Sequence, residues 1–374
     1  MIFKFTNELS LKEAKEKRVI KKKNTFNNKV VFVNGFSASG KTMVAPIISS
    51  MQNVESLIYP YEIEWISSIY YCDGIEKNFY LEFLKQYADH TVYNQMMGRN
   101  SNLRPSDISS ILQSRKKFLY LMRLFKKGDN LIPNKIIKDN PIINYTSSHL
   151  LFFINDIGEA FKKRVLFIET VRSPLYMFRQ IKILFKEVYM QRPEKVFTFQ
   201  AHNQFGKSFF FDFFSKDDVF QDISLNNLNE LVISYLERIF EFYFNFNFSK
   251  IDMAGGKLIF LPFEKFVLHP DKWIKSILNF LEIDHDKNLS NELKKQKVPR
   301  KFLHEGLSRS VYERYGNFNY KKKYISSNDA EEDYKQNLLK EFSLGKEDPN
   351  YKRLEDLTKQ YLKWINMFND KIEY

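Results

Sequence analysis

Short apolar runs, each stopped by a turn or a polar residue, punctuate this chain. The first predicts a buried strand over Lys29–Val33, and the apolar stretch from Lys41 to Met51 predicts a helix behind it. A second run, Val54–Ile58, stops at Tyr59-Pro60. From Tyr61 to Phe125 aromatic and polar residues recur at helical spacing, which predicts two or three helices broken near Gly98–Pro105. A short run at Lys135–Lys138 precedes Asp139-Asn140-Pro141, and a helix is expected over His149–Phe161. Arg164–Glu169 reads as a buried strand, and Pro174 is placed to open a helix reaching about Gln191. A helical hairpin is expected over about Asn226–Phe248, a buried strand over Lys257–Pro262 and a helix from His269-Pro270 to Leu281. Strands alternating with helices imply a parallel sheet with right-handed crossovers. The expected class is α/β, three layers around a central parallel sheet. Residues 1–28 read as a basic arm, 29–316 as the main domain with a helical insertion at about 61–130, and 317–374 as a charged helical tail packed on it.

Composition adds limits. A chain of 374 residues with 44% hydrophobic content can bury a sizeable core. The net charge of +13 favours anionic partners. Part of it is local: residues 1–23 carry Lys4, Lys12, Lys15, Lys17, Arg18, Lys21, Lys22 and Lys23 against Glu8, Glu13 and Glu16, a solvated arm by its pattern. Cys72 is the sole cysteine, which excludes an intrachain disulfide and a thiolate metal cluster. The histidines are scattered without ligand spacing, so no metal site is expected. The N-terminus is too charged for a secretory leader, and no apolar run is long enough to span a bilayer. A cytoplasmic protein is expected, with no transmembrane segment and no nucleic-acid partner. Phe-dense stretches at Phe205–Phe220 and Phe240–Phe248 read mainly as core faces of helices.

The chemistry concentrates at Gly35-Phe36-Ser37-Ala38-Ser39-Gly40-Lys41-Thr42, a Gly-x4-Gly-Lys-Thr pattern between a strand and a helix. Glycines let successive N–H groups face inward, and the helix end adds its own. The segment is a phosphate or sulfate socket, and the fold it implies is a P-loop fold. Two chemistries suit it. In a kinase or NTPase using ATP, Lys41 reaches the terminal phosphates and Thr42 holds Mg²⁺. That reading needs a carboxylate at a nearby strand end; Glu169 and Asp139 are the candidates, and neither closes an apolar run ending in Asp. The other chemistry follows from Arg172-Ser173-Pro174, just past a buried strand, where ligands bind in open α/β folds. A guanidinium there can hold a second phosphate bidentately.

In Ser39-Gly40-Lys41-Thr42, Arg172-Ser173-Pro174, Lys138-Asp139-Asn140-Pro141 and the span from Phe263-Glu264 through Pro270 to Phe280-Leu281, the chain resembles the sulfotransferases that use 3′-phosphoadenosine 5′-phosphosulfate (PAPS). The resemblance covers roughly residues 29–285. It implies transfer of a sulfuryl group to an acceptor hydroxyl or amine, with PAPS as small-molecule donor. Gly35, Ser37, Ala38, Ser39, Gly40, Lys41 and Thr42 would hold the 5′-phosphosulfate, and Arg172, Ser173 and Gln180 the 3′-phosphate. The chain departs from the family at Ala38, where a basic residue is usual, and at Gln180, where serine is usual; Lys41 would supply the missing charge. Carbohydrate members place a catalytic glutamate as Glu62 is placed here, with Glu64 behind it. That favours Glu62 as base and a carbohydrate as acceptor. His149 is the alternative base, as in alcohol and phenol sulfotransferases. Glu264 reads as a structural turn. A nucleotide-dependent binding protein without catalysis is the reading from another class.

Overall fold

The computed structural model of the chain describes residues 20–23, 25–126, 128, 130–186, 200–202, 208–210, 228–301, 303 and 326–367. Strand β1 (Val30–Asn34) leads through a loop into α1 (Lys41–Ser50). Then come α2 (Tyr61–Tyr71), α3 (Lys77–Met97), α4 (Lys117–Arg123) and α5 (Ile132–Asp139). Strand β2 (Ile143–Thr146), a 3₁₀ turn (Leu150–Phe153), α6 (Ile154–Phe161), β3 (Val165–Val171) and α7 (Pro174–Leu184) follow. A short antiparallel pair, β4 (Gln200–His202) and β5 (Ser208–Phe210), stands apart from the main sheet. The rest is α8 (Leu228–Phe244), β6 (Lys257–Pro262), α9 (Phe263–Leu268), α10 (Asp271–Leu281), α11 (Lys287–Lys295), α12 (Ser327–Leu339) and α13 (Pro349–Asn366).

The main sheet is parallel, in the order β2-β1-β3-β6. Two bridges, Val54 with Ile142 and Ile58 with Tyr145, lay the predicted second run beside β2 without making it a regular strand. Side chains alternate across β1. Val30 and Phe32 enter one apolar cluster with helices α3, α6, α8 and α13, while Val31 and Val33 enter another with α1 and α10. Helices therefore cover both faces, which makes the fold a three-layer α/β architecture. Each fully buried Val, Leu, Ile or Phe contributes about 1.5–3 kcal/mol, so the strands hold the scaffold on which the loop sits.

Several expectations change. Lys135–Lys138 lies inside α5, which Pro133 opens and Asn140 closes in the left-handed region; the strand comes after Pro141. The polar Asn144 and Thr146 disguised it, yet both are fully buried. The expected hairpin over Asn226–Phe248 is one continuous helix, α8, since no Gly or Pro interrupts Leu228–Phe244. His149 stands ahead of the 3₁₀ turn rather than in a helix, with φ 62°. Beyond residue 186 the expected helix towards Gln191 lies outside the described residues, as do the first 19 residues of the arm and most of Phe205–Phe220. Phe240 and Tyr243 are buried in the main core, with Phe242, Phe246 and Phe248 packed against it.

Candidate active site

The loop after β1 is held from below. Phe36 is buried and meets Tyr243 edge-on at 5.2 Å. Ser39 and Thr170 share a hydroxyl–hydroxyl bond of 2.7 Å, and Thr170 Oγ1 donates to the Asn34 carbonyl at 2.8 Å. Gly35 (φ 149°) and Gly40 (φ 101°) adopt backbone that L side chains resist. A Cβ on Gly35 would collide with the hydroxyls of Thr170 and Ser39, and one on Gly40 with the Phe263 ring. Among the described residues, the N–H groups of Ala38, Gly40, Lys41 and Thr42 have no protein acceptor, while that of Ser39 closes on Phe36. Free amides in a glycine turn at a helix start form an anion cradle. Ser37 is half-buried and Thr42 exposed beside it.

Lys41 is buried and donates to the Gly35 carbonyl at 2.6 Å and to the Ser148 hydroxyl. Burial lowers its pKa to about 8, while Glu64 and Glu169 pull it back up. Burial raises Glu64 to about 7, opposed by Lys41 and by the Ser148 N–H, which donates to Glu64 Oε1 at 2.6 Å. Glu169 is also raised to about 7 by burial. Its Oε2 accepts from Asn34 Nδ2 at 2.6 Å and its Oε1 from the Tyr243 hydroxyl at 2.5 Å. Asn34 Oδ1 in turn accepts from the Ser147 hydroxyl and the Leu150 N–H. Both oxygens of the strand-end carboxylate weighed for a metal are thus engaged beneath the loop. Asp139, the other candidate, ends helix α5 and faces Lys135 at 3.7 Å.

Arg172 reaches the cradle from the end of β3. It is buried, and its Nη1 donates to the Ala38 carbonyl at 3.3 Å and to Gln180 Oε1 at 3.0 Å. Its guanidinium lies over the Phe263 ring, 4.7 Å from the centroid. Its Nε is buried with no hydrogen-bond partner. A buried unsatisfied charged donor costs free energy unless a ligand meets it. The turn holding it is fixed by Glu264, which accepts from the Ser173 N–H at 2.9 Å and from the Tyr361 hydroxyl at 3.0 Å. This is the structural role read for Glu264 in the sequence.

The structure therefore gathers the loop, Lys41, Arg172, Ser173 and Gln180 at the carboxyl edge of the sheet. Gln180 acts there through its bond to Arg172. Glu62 does not join them: it is exposed and accepts from the Tyr87 hydroxyl at 2.6 Å. Its neighbour Glu64 turns inward, because positions two apart on a helix point to different sides. His149 stands at the site with its ring 5.2 Å from Phe36; burial, then the Lys41 charge, drives its pKa down to about 3, so the ring is neutral. Beside Glu64, the rings of Tyr59, Tyr61 and Trp65 run in a near-parallel row with centroids 5.9 and 6.3 Å apart, and Tyr61 and Trp65 are exposed. Sequence reasoning missed that row, and it missed Ser148 and Arg300. Arg300 is buried with its guanidinium 5.6 Å from the Phe263 ring and a contact to Met43 of α1. Its one sequence signal is the basic pair Arg300-Lys301 after α11.

No family model matches the sequence, and no curated protein matches it. Among solved structures the chain is similar to the sulfotransferase domain of the Synechococcus PCC 7002 olefin synthase, at 11% identity and a TM-score of 0.37 over 92% of this chain and 98% of that one. It is similar to the sulfotransferase domain of the curacin biosynthetic pathway, at 9% identity and a TM-score of 0.36 over 90% and 98%. It is also similar to mouse sulfotransferase SULT7A1 complexed with PAP, at 9% identity and a TM-score of 0.31 over 90% and 91%. Scores this low carry no chemistry, which must be read from the chain's own residues.

Proposed function

We propose that this chain is a sulfotransferase moving a sulfuryl group from PAPS to a hydroxyl of a carbohydrate acceptor. The observation that carries the reading is the convergence of two anion-binding devices. One is the amide cradle with Lys41; the other is Arg172, whose Nε is buried without a partner. A bisphosphorylated nucleotide fits both, whereas a nucleotide phosphorylated only at its 5′ side needs the cradle alone. Thus the residues present fit the donor. PAPS, when bound, supplies the activated sulfuryl group on a good leaving phosphate.

The unbonded amides of Ala38, Gly40, Lys41 and Thr42 would bind the 5′-phosphosulfate, and Arg172, held by Gln180 and the Ser173 turn, the 3′-phosphate. Lys41 would stabilise negative charge growing on the leaving oxygen, a pre-aimed electrostatic effect. Glu64 would take the acceptor's proton on its carboxylate, and burial tunes it to about 7, close to neutral working pH. Glu64 replaces Glu62 in this role on geometry, and His149 would stand beside the loop as a neutral ring. Tyr61 and Trp65, stacked in a row with Tyr59, offer flat exposed faces beside Glu64, which suit the C–H face of a sugar ring.

Thermal shift tests the donor class. Adenosine 3′,5′-bisphosphate should raise Tm by several degrees, more than ATP with Mg²⁺ does. Stabilisation by MgATP and none by the bisphosphate would replace this reading with a kinase or NTPase. Bisphosphate binding without turnover on any acceptor would leave a nucleotide-dependent binding protein.

A further inference from the structure

Helix α4 turns the Tyr120 ring and a charge inward. Arg123 is buried and grips Glu55 with two bonds of 2.6 and 2.8 Å, and Lys116, just before the helix, donates to the carbonyls of Met51 and Val54. Its outward side is apolar: Phe118 is 73% and Phe125 82% exposed, with Leu119 and Met122 between them. Phe118, Met122 and Phe125 stand at i, i+4 and i+7, one face of a helical turn and its extension. Leu131 and Ile137, flanking and within α5, are each 67% exposed. Scattered apolar residues on a surface need no explanation, but a row of exposed rings on one helix face does.

The segment that carries this face is basic. Between residues 115 and 138 the sequence holds eight Lys or Arg and one acidic residue, Asp129. Arg115 and Arg123 are taken up by Glu292 and Glu55, and Lys135 faces Asp139. Lys117, Lys126 and Lys138 are exposed and make no ion pair among the described residues; Lys117 sits 5.4 Å over the Phe118 ring. We propose that this face docks the protein on an anionic lipid membrane, with Phe118, Met122 and Phe125 entering the headgroup boundary and the lysines meeting lipid phosphates and carboxylates. Charge selects this occupant. A second copy of the chain would set the same lysines against themselves across a two-fold axis, whereas an anionic bilayer satisfies rings and lysines together.

The placement leaves the candidate active site open. Lys116 contacts the end of α1, and Asn53 binds the carbonyls of Asp139 and Asn140. Both contacts lie at the amino edge of the parallel strands, whereas the loop and Arg172 follow their carboxyl ends. Docking is thus independent of the sulfotransferase reading, and nucleotide binding should not depend on it.

The test is flotation of the full chain with phosphatidylcholine vesicles, with and without phosphatidylserine. Wild type should float with phosphatidylserine vesicles, stay behind with pure phosphatidylcholine, and be released by high salt. The pair F118S/F125S should lower vesicle binding by about tenfold or more, with unchanged Tm and an unchanged shift by adenosine 3′,5′-bisphosphate. Both rings are exposed, so their loss should leave the fold intact. K117A/K126A/K138A should weaken binding and flatten its salt dependence. Wild type that ignores phosphatidylserine vesicles overturns the proposal. So does F118S/F125S that floats like wild type, since the arm at residues 1–23 would then be the anchor. A dimer in light scattering that F118S/F125S dissolves, without vesicle binding, would assign the face to a second copy instead.

Discussion

Arg123 and Lys41 are both buried cations with carboxylates at hand, at opposite edges of one sheet, and they end in opposite conditions. Arg123 is paired: both Nη ends of its fork lie on Glu55, although its Nε, like that of Arg172, is buried without a hydrogen-bond partner. Lys41 is open. Its bonds go to a carbonyl and a hydroxyl, while Glu64 and Glu169 spend hydrogen bonds on Ser148, Asn34 and Tyr243. A closed pair holds structure in place and has little field left over. A buried cation without a bonded carboxylate keeps its charge for a ligand, and the surrounding fold must bear the cost.

The sharpest way to break this contrast is to remove each cation. Arg123→Ala should destabilise the protein by about 3–5 kcal/mol, because it strands Glu55 in the interior; urea unfolding measures it, and a loss near zero would make the pair ornamental. Lys41→Ala should leave unfolding little changed and lower kcat by about 10²–10³, the effect of deleting one transition-state donor. Full turnover by that variant would remove Lys41 from the chemistry. Arg172→Ala should weaken adenosine 3′,5′-bisphosphate by about 1.5–3 kcal/mol, the worth of a charged hydrogen bond, with a much smaller loss for adenosine 5′-phosphate. Titration calorimetry reads both, and equal losses would detach Arg172 from the 3′-phosphate.

The mildest test is pH. Burial raises Glu64 from 4.5 to about 7 and lowers Lys41 from 10.5 to about 8. The base must be deprotonated and the lysine protonated, so kcat/KM should rise through about 7 and fall through about 8, a narrow bell belonging to the coupled groups. Glu64→Gln should abolish the acid limb. With His149 as base that limb would sit near 3 instead.

The cradle was legible because its glycines, lysine and flanking strand are consecutive in the chain. Arg172 was legible because it follows a strong apolar run directly. The strand Ile143–Thr146 was not, since Asn144 and Thr146 are polar and their burial depends on partners far away: Asn144 Nδ2 binds Ser49 and the Ala45 carbonyl of α1. The choice between Glu62 and Glu64 was equally hidden. Helical phase decides which of them faces the loop, and the motif fixes position only to within a turn. Arg300 comes from far downstream and meets Phe263 through tertiary packing alone.

Glu264 has one oxygen on the turn that carries Arg172 and the other on Tyr361, which belongs to α13. Helix α13 also clasps α8 through Arg353 and Glu237, and α8 supplies the Tyr243 that closes on Glu169. During synthesis the loop near residue 40 precedes α13, which supplies Tyr361 to this network. A nascent chain therefore carries the loop residues well before Tyr361 can help Glu264 fix the turn of Arg172.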